Sequence, residues 1–299
     1  MATPILIGAP RPSPFFTPLF VAIDRGFFAE QGLDARMSYK KGRDALASGE
    51  IDFASGGSIY QQYLSGDVTM ICGHATRETS HVLMLRPEIE SVAGLEHVLL
   101  PGGSGPRGDM FMEELRKILA IYGMDLEESR IETGRIEGSH PEQWKMLQEG
   151  IGDAATLGAP YCIFAARSGY RNAGSAAEYG QSATGSGIYV APESIRKDPE
   201  VVRGFVRAYA KTMRYCATHP TETLETMVRY ANDWGVDDEV IAKAVYDEVA
   251  PYWRIELDVA ALREMLESGA QELGQPTRPV EAFLETRFLD EALAGLDAL

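Results

Sequence analysis

The stretch Gly102–Gly108 reads GGSGPRG, a residue set suited to holding an anion. Gly103, Gly105 and Gly108 spell G-x-G-x-x-G between an apolar run and a helical run. Acidic residues Asp125, Glu127 and Glu128 follow about 20 positions on, so the crude context of a dinucleotide loop is met. Pro106 removes one of the backbone donors such a loop uses. A plain glycine turn is the bland alternative. The better functional reading is a small anion or carbonyl at a helix N-terminus, where free N–H groups and the helix dipole favour negative charge. Ser104 adds a hydroxyl there, Arg107 a full charge, and Gly105 close backbone approach.

Gly56-Gly57-Ser58 repeats the idea nearer the amino terminus. Gly57 lets a ligand approach the backbone, and Ser58 either caps the next helix or donates to the ligand. Arg11, between Pro10, Pro12 and Pro14, is the candidate two-pronged clamp on a carboxylate, sulfonate or phosphate. Phe15 and Phe16 either stack on an aromatic ligand or belong to the core. Pro160 and Tyr161 end a strand and offer a further contact. His74 and His140 fall in expected loops, as acid–base groups or as polar surface. Neither Ser58 nor Ser104 satisfies G-x-S-x-G, because Tyr60 and Pro106 stand where the last glycine belongs. Cys162 sits at a helix start, as a buried cysteine or an activated one. The five histidines show no compact metal spacing, so no metal and no cofactor is expected.

Alternating strands and helices must position these residues. Apolar runs at 4–9, 33–39, 51–54, 68–72 and 81–85 read as strands, separated by a helix over 19–28 and shorter helices at 44–48 and 59–64. Strands at 97–100, 130–133, 153–157 and 187–190 alternate with helices at 109–122, 141–149 and 160–167. Such alternation argues for parallel sheets covered on both faces. From residue 199 the pattern turns helical. Val201, Val202, Phe205, Val206, Tyr209, Met213 and Cys216 share one face of a helix over 199–217. Further helical stretches follow at 220–232, 237–249, 258–273 and 279–283.

The chain has 299 residues, 45% hydrophobic and 24% charged, which excludes wholesale disorder and a small disulfide scaffold. Lys plus Arg is 28 against 44 Asp plus Glu, a net charge of −16 that repels nucleic acid and anionic membranes. Three cysteines without a C-x-x-C pair make no disulfide framework. The opening MATPILIGAP has no basic segment or long apolar run. As given, the chain therefore reads as cytoplasmic; a trimmed mature form would read as periplasmic.

The runs LFVAIDRGFFAEQGLDARMSY and ALASGEIDFASGG resemble one family of type II periplasmic binding proteins, that of the SsuA-type sulfonate receptors and the thiamine-pyrimidine synthases. So do EIESVAGLEHVLLPGGSGPRGDMFMEELRKIL, MLQEGIGDAATLGAPY and PESIRKDPEVVRGFVRAYAKTMRYCATHPTE, in the family's order over most of residues 19–222. The resemblance implies an α/β fold of two Rossmann-like lobes joined by a two-strand hinge, here with a helical C-terminal tail. Residues 1–85 with 187–299 would form lobe I and 86–186 lobe II, with crossings near 85–87 and 185–187. It implies capture of a small anionic or aromatic molecule in an interlobe cleft by hinge closure, as a monomer, with an ABC permease as partner. The alternative is a cytoplasmic enzyme on the same fold, lyase- or decarboxylase-like. The family's desulfinases carry a nucleophilic cysteine after the first strand, and its pyrimidine synthases a cysteine-rich motif. Both are absent here, which argues against those two activities.

Overall fold

The computed structural model describes residues 2–39, 42–57, 59–76, 81–101, 108–136, 139–175, 184–272 and 274–297. The first elements are β1 (Thr3–Gly8), α1 (Thr17–Asp24), α2 (Phe27–Glu30), β2 (Leu33–Ser38), α3 (Gly42–Ala47), β3 (Phe53–Ser55), α4 (Ile59–Ser65) and β4 (Thr69–Thr76). Next come β5 (Val82–Leu85), β6 (His97–Pro101), α5 (Gly108–Ile121), β7 (Glu132–Ile136), α6 (His140–Gln148), β8 (Ala154–Leu157), α7 (Tyr161–Arg167) and β9 (Arg171–Ser175). The chain then runs through β10 (Thr184–Val190), α8 (Pro192–Lys197), α9 (Pro199–Thr218), α10 (Pro220–Tyr230), α11 (Glu239–Val249), α12 (Val259–Glu272) and α13 (Arg287–Asp297).

Two compact units result. Unit 1 comprises Met1–Arg77, Ser182–Tyr246 and Ala250–Leu299; unit 2 comprises Glu78–Gln181 with Asp247–Val249. The sheet of unit 1 has the order β2-β1-β3-β10-β4, and that of unit 2 the order β7-β6-β8-β5-β9.

Both sheets are mixed, where the alternation predicts parallel ones. In unit 1, β1 pairs parallel with β2 and β3, but β10 lies antiparallel between β3 and β4. In unit 2, β6 pairs parallel with β7 and β8, and β5 lies antiparallel between β8 and β9. Parallel neighbours need a crossover back over the same sheet. The chain reaches β10 only after completing the sheet of unit 2, so no such crossover on the first sheet constrains its direction.

The expected helix over 19–28 is two helices. Gly26 adopts a left-handed φ of 73° between α1 and α2, which turns the chain and lets both Phe27 and Phe28 be buried. The amphipathic stretch from 199 forms α9. Asp198 caps it by accepting from the Val201 N–H at 3.4 Å, and Pro199 takes the first turn, where no N–H donor is needed. Its apolar face buries Val202, Phe205, Val206, Tyr209, Met213 and Cys216. Phe205 stacks on Phe53 of β3 at 4.0 Å and tilts against Phe28 of α2 at 5.0 Å, so one helix covers sheet and helices together. Full burial of such a ring contributes roughly 1.5–3 kcal/mol. The opposite face of that sheet is sealed by Tyr60, Tyr63, Met70, Tyr189, Leu262, Leu266 and Phe283. In unit 2, Leu83, Leu85, Val98 and Leu100 of the sheet meet Leu115, Ile118 and Leu119 of α5.

Candidate functional site

In each unit the loops at the carboxyl ends of the parallel strands carry the polar groups. In unit 1 the chain leaves β1 through residues 9–16. Ser13 fixes this loop: its carbonyl accepts the Phe16 N–H at 3.1 Å, closing a single 3-10 turn over Pro14–Phe16. The Thr17 hydroxyl donates to the Pro14 carbonyl at 2.7 Å below it. After β3, Gly56 and Gly57 take left-handed φ values of 80° and 83°. A Cβ on Gly56 would stand 3.0 Å from the Phe16 ring and 3.6 Å from Pro10, so the two loops meet only because position 56 is glycine. Two buried polar atoms lie at this end, Ser55 Oγ and Gln62 Oε1, and neither has a hydrogen-bond partner among the described residues.

His74, expected in a loop, is instead inside β4 and 1% exposed. Its Nδ1 is 2.5 Å from the Tyr209 hydroxyl of α9, and its ring packs against Phe16 at 5.4 Å. Burial pushes its imidazole down to about 4, with the nearby Phe15 backbone pulling the other way. His74 is thus a neutral strut that ties the 9–16 loop to α9.

Unit 2 assembles a tighter cluster. Here β5 runs antiparallel to β8, so the residue just before β5, His81, sits beside Gly158 at the carboxyl end of β8. The His81 Nδ1–H donates to Glu114 Oε2 of α5 at 3.0 Å, and both side chains are about nine-tenths buried. His140 opens α6, where the Ser139 N–H donates to Glu142 Oε2 at 2.8 Å and starts the helix. The His140 Nδ1 meets Gln143 Oε1 at 3.0 Å. Gln143 Nε2 donates to the Leu99 carbonyl of β6 at 2.9 Å, which fixes the amide so that its oxygen accepts from His140. The two imidazoles lie 4.9 Å apart, and Phe111 of α5 flanks both, at 5.1 Å from His81 and 6.4 Å from His140.

The remaining sequence candidates scatter. Arg11 is exposed on the 9–16 loop, and Phe15 is half-buried beside it. Phe16 is buried at 6% and packs against His74. Gly57 is exposed, with a hypothetical Cβ 3.6 Å from Gln62. Pro160 is buried behind a cis peptide bond, and Tyr161 is half-buried with its ring 5.8 Å from Phe164. Ser58, Ser104, Gly105 and Arg107 lie outside the described residues, and with them the Gly102–Gly108 loop up to position 107. All three cysteines are buried. Burial pushes the Cys162 and Cys216 thiols up to about 12 and Cys72 higher still, so none is an activated nucleophile. Among the described residues, no three His, Cys, Asp or Glu side chains share metal-ligand spacing. No helix among them is long and apolar enough to cross a membrane.

The sequence reading missed His81, Glu114, Gln143, Ser55 and Gln62. Glu114 had a signal, because it shares an otherwise apolar helix face with Phe111, Leu115 and Ile118.

Two mixed five-stranded sheets with polar groups at their strand ends, followed by a helical tail, define the fold of the type II periplasmic binding proteins. The chain belongs to the NMT1/THI5 like family, which it matches over residues 13–223. No curated protein sequence matches it. Its structure is similar to the alkanesulfonate-binding protein SsuA from Xanthomonas axonopodis pv. citri bound to MOPS, with a TM-score of 0.72 and 12% identity over 95% of this chain and 98% of that one. The periplasmic aliphatic sulphonate binding protein SsuA from Escherichia coli gives 0.71 and 15% over 96% and 93%. The desulfurization enzyme DSZB gives 0.67 and 14% over 98% and 99%. At these identities the likeness is one of fold.

Proposed function

We propose that the chain is a solute-binding protein that reversibly holds a small organic molecule, anionic or aromatic, for an uptake system with a membrane permease. The observation that carries this reading is the pair of buried polar atoms, Ser55 Oγ and Gln62 Oε1, that have no partner among the described residues and lie at the strand ends of a fold shared with sulfonate-binding proteins. Each such atom costs about 1–3 kcal/mol when left without a partner, a cost that a bound polar ligand removes. Arg11, Gly57, Ser58 and Phe15 in unit 1 are the proposed neighbours of such a ligand. Ser104, Gly105, Arg107, His140, Pro160 and Tyr161 are those in unit 2. The protein acts as a monomer and, as a receptor, works in the periplasm.

A second reading has one specific observation in its favour. The His81–Glu114 pair, with His140 beside it, is a general-base arrangement: the carboxylate orients the ring, and Nε2 is the basic atom. DSZB is an enzyme on a similar fold. One experiment separates the two readings. Native mass spectrometry is run on the chain before and after incubation with pooled sulfonates, aromatic acids and pyrimidines. Binding predicts an intact ligand mass, released unchanged on denaturation, and weakened at least tenfold by Arg11→Ala if the clamp is real. A pool member that disappears and yields a new mass overturns the binding reading in favour of the enzyme.

A further inference from the structure

At the β4 edge of unit 1 lies a cavity of about 430 Å³, within the ~300–1,000 Å³ of small-molecule sites. Three elements wall it: the second half of α9, the end of α13 and the extended segment 253–256. That segment continues the sheet past β4. The Arg254 N–H donates to the His74 carbonyl at 3.2 Å, and the Gly73 N–H donates to the Ile255 carbonyl at 2.7 Å. The cavity thus stands at an edge strand, whereas the loops of the candidate solute site leave the inner strands β1 and β3. Its floor is apolar, with Met213 of α9, Ile255, and Leu293 and Leu296 of α13. Met213 and Ile255 are buried, but both leucines are only half-buried, so apolar surface is left for a ligand to cover.

The charged lining has the opposite sign to the chain. Arg214 and Arg254 stand against one carboxylate, Glu256, on a protein whose net charge is −16. The Arg214 Nη1 donates to the Leu296 carbonyl at 2.6 Å, which ties α9 to the end of α13. The exposed Arg254 side chain has no ion-pair partner among the described residues. Trp253 also lines the cavity, and its Nε1 is buried with no hydrogen-bond partner among the described residues. An indole N–H only donates, so what it lacks is an acceptor. We propose that this cavity is a second ligand site, for an aliphatic carboxylate whose chain lies on Leu293, Leu296 and Met213 and whose head meets Arg254 and Arg214. The apolar floor selects the chain, and the excess of arginine selects the sign. A carboxylate matches the guanidinium fork with two oxygens and brings an acceptor of the kind the indole lacks. Glu256 in the same lining favours a singly charged head over a phosphate dianion. The site does not rest on the solute-binding reading.

Octanoate tests it, with 1-octanol as the neutral molecule of equal chain length. The full chain is titrated calorimetrically with each. The indole N–H signals of its three tryptophans are followed by NMR, that of Trp253 being assigned with Trp253→Phe. The expected result is saturable binding of one octanoate per chain, with octanol about tenfold weaker, the worth of a charge-assisted hydrogen bond. The Trp253 signal shifts on binding. Arg254→Gln weakens octanoate by about tenfold and leaves octanol unchanged. Glu256→Gln strengthens octanoate, because a like charge leaves the lining. Ala217→Trp fills the cavity and removes both ligands. Positions 217, 254 and 256 are all exposed, so these variants keep the fold, and an unchanged thermal midpoint checks it. No saturable octanoate binding by the parent chain, or equal affinity for octanol, overturns the site. So does binding that is lost in Arg11→Ala and kept in Arg254→Gln, which would put the carboxylate at the candidate solute site instead.

Discussion

His74 shows how one side chain can make the fold sensitive to acid. Its imidazole titrates near 4 in the folded protein, because burial disfavours the charged ring, against about 6.5 in an unfolded chain. The unfolded chain therefore takes up the proton first. The stability contributed by neutral His74 is whole above pH ~6.5 and is lost as the pH falls toward the folded value, by on the order of 3 kcal/mol in total. Urea unfolding between pH ~6.5 and ~5, above the carboxylate range, should therefore show stability falling with acid, and a shallower slope in His74→Gln. Equal slopes would remove His74 from the account. Legibility at this scale was uneven. Arg11 and the glycine pair Gly56-Gly57 stand out in sequence because their types are unusual for a core. His81 did not, since it reads as the first residue of a strand, and its partner Glu114 is 33 positions away. Only the antiparallel placement of β5 beside β8 brings that pair to the strand ends.

Among the elements, β4 depends on a residue whose importance is invisible to periodicity. The segment 254–256 lies directly across Gly73, whose N–H donates to the Ile255 carbonyl at 2.7 Å. A Cβ on Gly73 would fall 2.7 Å from the Arg254 carbonyl oxygen and 2.9 Å from those of Ile255 and Glu256. A run of three backbone carbonyls cannot swing away as a side chain can. Gly73→Ala should cost about 1–3 kcal/mol, read as a lower denaturation midpoint at unchanged m-value. A neutral substitution would mean that the 254–256 segment moves freely. Most strands and helices were legible because apolar residues recur at the spacing each element requires. Three elements were not. The β9 sequence RNAGS has no β-branched or aromatic residue. Helix α8 buries none of its residues, so it has no apolar stripe to read. Helix α13 follows a short 3-10 turn at Val280–Ala282, where a helical stretch over 279–283 was expected, and it packs against α9.

At the scale of the whole molecule, 44 acidic groups face 28 basic ones. Some of the excess is locally answered: Arg203 of α9 bonds Glu291 of α13 at 2.7 Å and also Glu200, and Lys211 bonds Glu30 at 2.5 Å. Exposed pairs of this kind contribute little each, and the remaining charge repels itself. Raising KCl from about 10 to about 300 mM shortens the Debye length several-fold and should raise Tm by a few degrees. A fall in Tm would mean that the ion pairs outweigh the net repulsion. The order of the first sheet, β2-β1-β3-β10-β4, has a different consequence. Its fourth strand is made last, after the entire run that builds the second sheet. On the ribosome the residues up to 76 therefore emerge with β3 paired on one side only, to β1, and with the edges of β3 and β4 that β10 fills left bare until residue 190 has left the exit tunnel. The middle of the nascent chain can finish its own sheet first, while the beginning waits for a strand still to be synthesised. During that interval the exposed strand edges are the part of the chain most open to wrong pairing.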